Sequence, residues 1–144
     1  MKRSLILMVL ALLPALMLLS ACGGSSEEVS YRDGTFVGKS SEDDNGAFGE
    51  ATVTIEDGKI TACQYVTWQK DGTVKDENYG KVNGEISNQD YYDKAQLAVN
   101  AMAQYARELV EVQSPGDVDA VSGATISHNQ FIEAAGDALS QAKE

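Results

Sequence analysis

Polar and hydrophobic residues alternate along the stretch that follows residue 31, and this period of two predicts β-strands. The clearest strand is Ala47–Glu56, which is followed by Asp57-Gly58, two residues that tolerate the positive φ of a hairpin turn. The alternation places apolar side chains on one face of this strand: Ala51, Val53 and Ile55. We therefore predict a hairpin of Ala47–Glu56 with Lys59–Gln69, and an earlier strand over Thr35–Lys39.

The strand Lys59–Gln69 has a less regular pattern than its partner. The residues at even positions are expected to share one face, and four of them are apolar: Ile60, Ala62, Val66 and Trp68. Gln64, on the same face, is the polar exception. Asp71-Gly72 is a second hairpin signal, and it predicts a short returning strand over Thr73–Lys75. The residues that follow, 76–88, are mostly polar and are predicted to form a loop.

Further along the chain the hydrophobic period changes to that of an α-helix. Asp90–Val112 carries one apolar stripe with alternating spacings of four and three: Tyr91, Ala95, Ala98, Met102, Tyr105, Leu109 and Val112. This stripe is short for a coiled coil and contains Ala and Met, so it predicts packing against a sheet.

A second helix is predicted over Ser127–Ala142, after a short strand or extended piece at Val118–Val121. Ser127 and Gln130 fit the two positions of a capping box, in which the first is the N-cap. The inner face of this helix is expected to carry Phe131, Ile132, Ala135, Leu139 and Ala142. The order of elements predicts an α+β domain, a mostly antiparallel sheet with two main helices packed on it.

The first 21 residues have the pattern of an export signal rather than of a folded element. Lys2-Arg3 precedes Leu5–Leu19, an apolar run that is shorter than the roughly 20 residues needed to span a bilayer. The run ends in Leu19-Ser20-Ala21-Cys22, which resembles the bacterial lipobox. This resemblance implies cleavage before Cys22 and lipidation of its thiol, and the alternative is an ordinary cleaved signal with a chance Cys.

The Gly, Ser and Glu residues that follow Cys22 have the composition of a flexible tether. The predicted organisation is a lipoprotein signal peptide at 1–21, a lipidated Cys and tether at 22–30, and a folded domain at 31–144. We therefore expect a domain that the lipid anchors at the extracytoplasmic face of the cell membrane.

The charge balance and the Cys and His content exclude several classes of function. The chain has 22 acidic and 11 basic residues, and this excess argues against nucleic-acid binding, which needs clustered Lys and Arg. Two Cys and one His are too few for a disulfide scaffold or a Cys/His zinc site. Ser41–Gly46 lacks the acidic first ligand of a calcium loop, so no metal site is predicted. Cys63 is expected to be a buried apolar residue.

The segment Asp119–Thr125, between the extended piece and the second helix, carries the candidate chemistry. Its Ser, Gly and Ala residues are small, so backbone amides can approach a ligand closely. The amides that begin a helix lack intrahelical partners and favour an anion such as phosphate. The residues alone allow two interpretations: a phosphate-binding loop beside the Thr125 hydroxyl, or a simple turn at Ser122-Gly123.

The stretch Asp119-Ala-Val-Ser-Gly-Ala-Thr125 is similar to the flavinylation motif Asp-x-x-Ser/Thr-Gly-Ala-Thr/Ser of the FMN-binding domain family. That family includes the C subunit of the sodium-pumping NADH:quinone oxidoreductase, the related G subunit of the Rnf complex, and surface lipoproteins. Asp33–Gly38 resembles the family's opening Asp-Gly-Thr-Tyr-x-Gly, and Val53–Thr61 resembles its Val-Thr-Ile-x-Asp-Gly-Lys-Ile hairpin. The resemblance thus covers about residues 31–142.

The resemblance implies that an extracytoplasmic flavin transferase, which uses FAD and magnesium, attaches FMN to the Thr125 hydroxyl through a phosphoester. It also implies that Asp119 is recognised by the transferase or positions it, and that Ser122, Gly123 and Ala124 shape the loop at the phosphate. A covalent link has a physical advantage, because a noncovalent flavin outside the cell would be lost by dilution.

Motif and anchor together predict an electron carrier rather than an enzyme. The sequence has no Gly-x-Gly-x-x-Gly dinucleotide fingerprint and no His/carboxylate or Cys/His constellation for acid–base or nucleophilic catalysis. A membrane donor is expected to reduce the FMN, and an external or periplasmic acceptor to oxidise it. Two alternatives stay open: a surface flavin-dependent reductase, and a flavin-free surface binding lipoprotein.

A few other side chains are candidates for flavin contact, but each also has an ordinary explanation. His128 lies one turn beyond Thr125 and is either close to the flavin or a solvated surface residue. The aromatic residues Tyr65, Trp68 and Tyr79 are either stacking partners of the ring or part of normal sheet packing, so they receive no predicted role.

Overall fold

The computed structural model describes residues 29–144, so the predicted signal peptide, Cys22 and most of the predicted tether lie outside the described residues. The elements in chain order are β1 (Gly34–Lys39), β2 (Phe48–Glu56), β3 (Lys59–Trp68), α1 (Gln89–Val112), a short 3-10 helix (Pro115–Asp117) and α2 (Thr125–Ala142). The strands form one antiparallel sheet in the order β1-β2-β3, and both helices pack on it. The predicted α+β fold is confirmed.

The hairpin of β2 and β3 forms as the sequence predicts. Asp57 and Gly58 adopt φ of 52° and 71°, the left-handed values that a two-residue turn of this kind requires. The alternating apolar residues of β2 face the helices and are completely or almost completely buried: Ala51, Val53 and Ile55. The hydrophobic pattern of β2 therefore sets the face of the sheet on which the core is built.

A bulge in β3 reverses the predicted orientation of most of its side chains. The register with β2 shifts between Thr54 and Ile55, which leaves Thr61 as an extra residue on β3. Because side chains alternate between faces, one extra residue exchanges the faces of all later positions. Ile60 is buried as predicted, but the other members of its predicted face lie on the opposite side of the sheet: Ala62, Val66 and Trp68. Two other residues enter the core instead: Tyr65 and Thr67.

Helix α2 packs against β1 and β2 and approaches β1 most closely at Gly38. A Cβ atom at Gly38 would overlap the carbonyl oxygen of Ala134 and the amide nitrogen of Ala138. Gly38 is the last residue of the Asp33–Gly38 segment, so this close approach gives a physical reason for glycine at that position.

Helix α1 packs against β3 and has a cap at each end. The Asn88 side chain accepts a hydrogen bond from the Tyr91 N–H at 3.0 Å, and Gln113 ends the helix in a left-handed conformation, with φ of 65°. The middle of the predicted stripe is buried, with Tyr105 and Leu109 at 0% exposure. Tyr91, at the start of the predicted stripe, is 54% exposed and lies outside the core.

Two short strands that the sequence predicts are absent from the described residues. The turn at Asp71-Gly72 closes, but Thr73–Lys75 contributes only an isolated bridge between Val74 and Trp68, because the chain bends away from β3 after Lys75. Val118–Val121 follows the 3-10 helix as an extended segment outside the sheet, so the extended-piece alternative is the correct one.

The predicted start of α2 and its capping box are wrong. The helix begins at Thr125, two residues before the predicted N-cap, and Ala124 occupies the N-cap without a side-chain hydrogen bond. Ser127 and Gln130 instead lie inside the helix on its buried face, with 9% and 6% exposure. A turn at residues 121–124 completes the reversal of the chain before the helix begins, which leaves Ser127 no capping role.

The two ends of the domain lie next to each other. Tyr31 forms a bridge with Lys143, and the Arg32 N–H donates to the Ala142 carbonyl at 2.9 Å. The chain therefore enters the domain beside the C-terminal end of α2. Within residues 29–144, no helix has the combination of length and hydropathy needed to cross a bilayer.

Candidate functional site

A pocket of about 340 Å³ opens beside the first turn of α2. Four parts of the chain enclose it: the loop after β1, the end of β3 together with the segment that follows β3, one face of α1, and the start of α2. The residues in its wall are Asp43, Asn45, Thr67, Lys75, Tyr79, Ala98, Met102, Gly123–Ser127 and Gln130. The pocket thus joins segments that lie far apart in the sequence.

The turn that leads into α2 depends on a glycine. The Ala124 N–H donates to the Val121 carbonyl at 3.0 Å, and Gly123 inside this turn has φ of 85°. A Cβ at Gly123 would also lie 2.9 Å from Leu97 Cδ2 of α1. Backbone conformation and contact with α1 therefore both favour glycine here.

Helix α1 holds this turn in place through a buried tyrosine. The Tyr105 hydroxyl accepts the Val121 N–H at 3.2 Å and donates to the Ala124 carbonyl at 3.3 Å. The Glu108 carboxylate accepts the Asp119 N–H at 2.8 Å. Because these contacts are to backbone atoms, they fix the path of the segment and the position at which α2 begins.

His128 stabilises the same segment from the side of α2. Its Nε2 lies 2.8 Å from the Val118 carbonyl oxygen, and its ring packs edge-on against Tyr105 with centroids 5.2 Å apart. A carbonyl oxygen only accepts, so Nε2 carries the proton in this contact. His128 is half-buried and outside the pocket wall, so its interpretation as a solvated surface residue is wrong, and its closeness to the flavin stays a prediction.

The structure brings some of the predicted site residues together and leaves others apart. Gly123, Ala124 and Thr125 line the pocket, and the exposed Thr125 is the first residue of α2. Ser122 and Asp119 are exposed and lie outside the pocket wall. The motif therefore supplies both pocket residues and an exposed segment that precedes them in the chain.

The first turn of α2 presents free backbone donors at the pocket. The first hydrogen bond of the turn runs from the His128 N–H to the Ala124 carbonyl at 3.0 Å. The N–H groups of Thr125, Ile126 and Ser127 precede this bond and have no carbonyl within the helix to donate to. These donors and the helix dipole favour an anion beside the Thr125 hydroxyl.

Two polar side chains of α2 that reach the pocket were not predicted to be part of the site. The Gln130 Nε2 donates to the Ala47 carbonyl at 2.8 Å, whereas Gln130 Oε1 and Ser127 Oγ are buried and have no hydrogen-bond partner among residues 29–144. Only their spacing in the sequence could have indicated that these two residues are buried, since both fall on the face of α2 that also carries Phe131. Buried polar atoms without partners are unusual and indicate a ligand or water at the pocket.

The charged and aromatic residues of the pocket also come from segments without a motif. Burial lowers the pKa of Lys75, and the nearby Asp43 carboxylate opposes this decrease. Burial is the main cause that raises the pKa of Tyr79 to about 12. The Thr67 hydroxyl, at the back of the pocket, donates to the Met102 sulfur at 3.1 Å.

The aromatic residues without a predicted role separate in the structure. Tyr65 is part of the core, 5.0 Å from Phe131 in an edge-on contact, and burial raises its pKa to about 12. Trp68 lies outside the pocket wall. Tyr79 lines the pocket and is therefore the one of the three that is placed to contact a ligand there.

Residues 29–144 contain no group of three or more His, Cys, Asp or Glu side chains arranged to hold a metal ion. Cys63 is half-buried, and burial raises its pKa to about 11. A thiol with this pKa is almost entirely protonated at neutral pH and is a poor nucleophile.

Comparisons with known proteins find two similar structures and one protein family. The chain is 26% identical to the CPE2226 protein from Clostridium perfringens, whose crystal structure it matches with a TM-score of 0.62 over 78% of this chain and 88% of that one. It is also 26% identical to a protein from Clostridium thermocellum, with a TM-score of 0.46 to its solution NMR structure over 78% and 93% of the two chains. No curated protein matches the chain. The family model of the FMN-binding domain matches residues 46–140, which include the start of α2 and all of the pocket wall except Asp43 and Asn45, and the chain therefore belongs to the FMN-binding domain family.

Proposed function

We propose that this protein is a membrane-anchored extracytoplasmic flavoprotein, which carries FMN on Thr125 through a phosphoester and passes electrons from a membrane donor to an external or periplasmic acceptor. The observation that carries the proposal is the position of Thr125. Its hydroxyl belongs to the first residue of α2, at the edge of the pocket, where the backbone favours a phosphate.

The residues of the pocket fit FMN. Ser127 Oγ and Gln130 Oε1 are buried without partners, and FMN carries hydrogen-bonding atoms on its phosphate, ribityl chain and ring that can satisfy them. Met102 and Ala98 provide apolar surface for a flat ring, and Tyr79 provides an aromatic face. When bound, FMN supplies the redox chemistry, while the protein supplies binding and the surrounding charges.

The attachment step requires the Thr125 oxygen to form a bond to phosphorus. In transfer from FAD, the bond between the two phosphates breaks, AMP leaves, and the hydroxyl proton is lost to a base of the transferase or to water. The product is a phosphodiester with one negative charge. The N–H groups of Ile126 and Ser127 are placed to stabilise that charge after the transferase has left.

The exposed segment that precedes the pocket residues of the motif suits recognition by the transferase. Asp119 and Ser122 are exposed, and the backbone around them is fixed to α1 through Glu108 and Tyr105. A transferase can therefore bind this segment while the Thr125 hydroxyl keeps its place. Recognition of a pre-ordered segment costs less conformational entropy than recognition of a mobile one.

The composition of the pocket wall is compatible with the proposed role as an electron carrier. Within the described residues, the pocket wall contains no His or Cys, and Lys75 and Asp43 are its only charged side chains. Electron transfer needs no proton donor or nucleophile from the protein. The role of the chain is then to hold the flavin, to shield part of it from water and to set its reduction potential.

Replacement of Thr125 by Val tests the attachment. The protein is expressed with its signal peptide in a cell that contains the transferase, and flavin fluorescence is recorded after denaturing gel electrophoresis. Wild type and Thr125→Ser should give fluorescent bands, because both keep a hydroxyl, and Thr125→Val should be dark. Thr61→Val is the matched control, since it makes the same exchange at an exposed position of β3 outside the pocket wall, and it should stay fluorescent. A dark wild-type band, or a fluorescent Val band, would contradict the proposal.

Intact-mass measurement of the membrane fraction tests anchor and flavin together. The mature protein should begin at Cys22 and carry the added mass of both the lipid and one FMN. Cys22→Ser should lack the added mass of the lipid and keep the fluorescence of its denatured band. A wild-type protein without the lipid mass, or a Cys22→Ser protein that still carries it, would refute the lipid anchor.

A further inference from the structure

The pocket contains one basic and one acidic side chain among the described residues, Lys75 and Asp43. Lys75 is half-buried, and its Nζ lies 5.0 Å from the centre of the Tyr79 ring. Within residues 29–144, no carboxylate oxygen lies within 4.0 Å of this ammonium group. A cation that is partly removed from water and has no direct ion pair interacts strongly with any negative charge that enters the pocket.

The backbone holds Lys75 in position. Its N–H donates to the Thr67 carbonyl at 2.9 Å, which fixes the residue to the end of β3. Gln96 of α1 donates to the carbonyls of Asp76 and Tyr79 at 3.1 and 2.9 Å, which fixes the segment that follows. The Lys75 side chain therefore starts from a rigid base in the pocket wall.

Asp43 is held just as firmly by its own loop. Its Oδ1 accepts the N–H of Asn45 at 2.8 Å and the N–H of Ala47 at 2.9 Å. Because both bonds are to backbone donors, an asparagine at this position can keep them through its carbonyl oxygen while it removes the charge. The charge of Asp43 can thus be tested separately from its structural role.

We propose that Lys75 raises and Asp43 lowers the reduction potential of a flavin in this pocket, an inference that rests on the proposed function. Two electrons from the membrane donor and one proton from water convert the neutral oxidised ring into a reduced ring with one net negative charge. A fixed cation nearby favours that charge, and a fixed carboxylate disfavours it. Both residues line a pocket of only about 340 Å³, so their charges act at short range in a partly dry site.

The test is a spectroelectrochemical titration of the flavin absorbance in the purified flavinylated protein. Lys75→Met should lower the equilibrium constant for reduction at least tenfold, which for a two-electron couple is a decrease of about 30 mV. Asp43→Asn should change the potential in the opposite direction. Lys75→Arg keeps the charge and should stay near wild type, as should Lys59→Met, which removes an exposed lysine at the far end of β3.

A role of these residues in folding alone would not give potential shifts of opposite sign. If the denatured bands of all variants fluoresce but Lys75→Met and Asp43→Asn have the wild-type potential, this inference is wrong and the proposed attachment stands. If all denatured bands are dark, the attachment proposal fails instead. The same titration on protein loaded with free FMN then decides the inference by the same criterion.

Discussion

The close approach of α2 to β1 can be tested with a single methyl group at Gly38. An alanine Cβ there would overlap the carbonyl oxygen of Ala134 and the amide nitrogen of Ala138. These are backbone atoms in the middle of α2, so no side-chain rotation can relieve the overlap. The helix and the strand must move apart, and the core between them must open.

The expected loss of stability follows from two opposing effects. Overpacking of a core typically costs about 1–3 kcal/mol and sometimes more, and contact with backbone atoms places Gly38→Ala at the upper end. The smaller entropy of the unfolded alanine chain offsets about 0.5–1 kcal/mol of this cost. We expect the free energy of unfolding to decrease by about 2–2.5 kcal/mol, and Tm to decrease by roughly 10 °C for a domain of this size.

Gly136→Ala is the matched control, since it makes the same exchange within α2, the helix that Gly38 contacts. Gly136 is exposed, and a Cβ there would meet no atom within 4 Å, so this change should stabilise the protein by about 0.5–1 kcal/mol. Urea unfolding followed by far-UV circular dichroism measures both variants under one set of conditions. If Gly38→Ala unfolds at the wild-type urea concentration or above it, the two elements do not touch as described.

Two further predictions concern the loop and the free thiol. Tyr105→Phe removes the hydroxyl that joins Val121 to Ala124. Urea unfolding should show a decrease of about 1–2 kcal/mol in the free energy of unfolding. No change would mean that these hydrogen bonds do not hold the turn. Cys63, with a pKa raised to about 11, should react with iodoacetamide at pH 8 about a hundredfold more slowly than an exposed thiol. Its reaction rate should increase with pH up to about 11. A rate equal to that of glutathione at pH 8 would contradict the burial of Cys63.

The sequence predicts this fold well where one regular period governs a whole element. β2, its turn at Asp57-Gly58 and the long α1 follow from periodicity and turn residues alone. The orientation of β3 does not follow, because the extra residue Thr61 changes the face of every later side chain. Nothing in the local sequence marks a bulge without glycine, and the register is set by pairing with β2.

The candidate site was predictable only as far as its motif extends. Gly123 and Thr125 have a local signal, since a turn and the first residue of a helix depend on neighbouring residues. Lys75 and Asp43 reach the same pocket through the packing of β3, α1 and the loop after β1, which no spacing in the sequence reveals. The spacing of Ser127 and Gln130 fits a helix start as well as a buried helix face, so the sequence alone does not show that Gln130 is a buried polar residue of the pocket.

If the protein carries a lipid on Cys22 and FMN on Thr125, as we propose, the entry of the chain beside the last turn of α2 places the flavin far from the point at which the tether joins the domain. Tyr31 bridges Lys143 just beyond the end of α2, whereas Thr125 is the first residue of that helix. At 1.5 Å per residue, the 18-residue helix separates the two by about 26 Å. In a protein anchored through Cys22, a water-soluble acceptor can therefore reach the FMN without approaching lipid headgroups, and a donor inside the bilayer reaches it only when the domain tips toward the membrane.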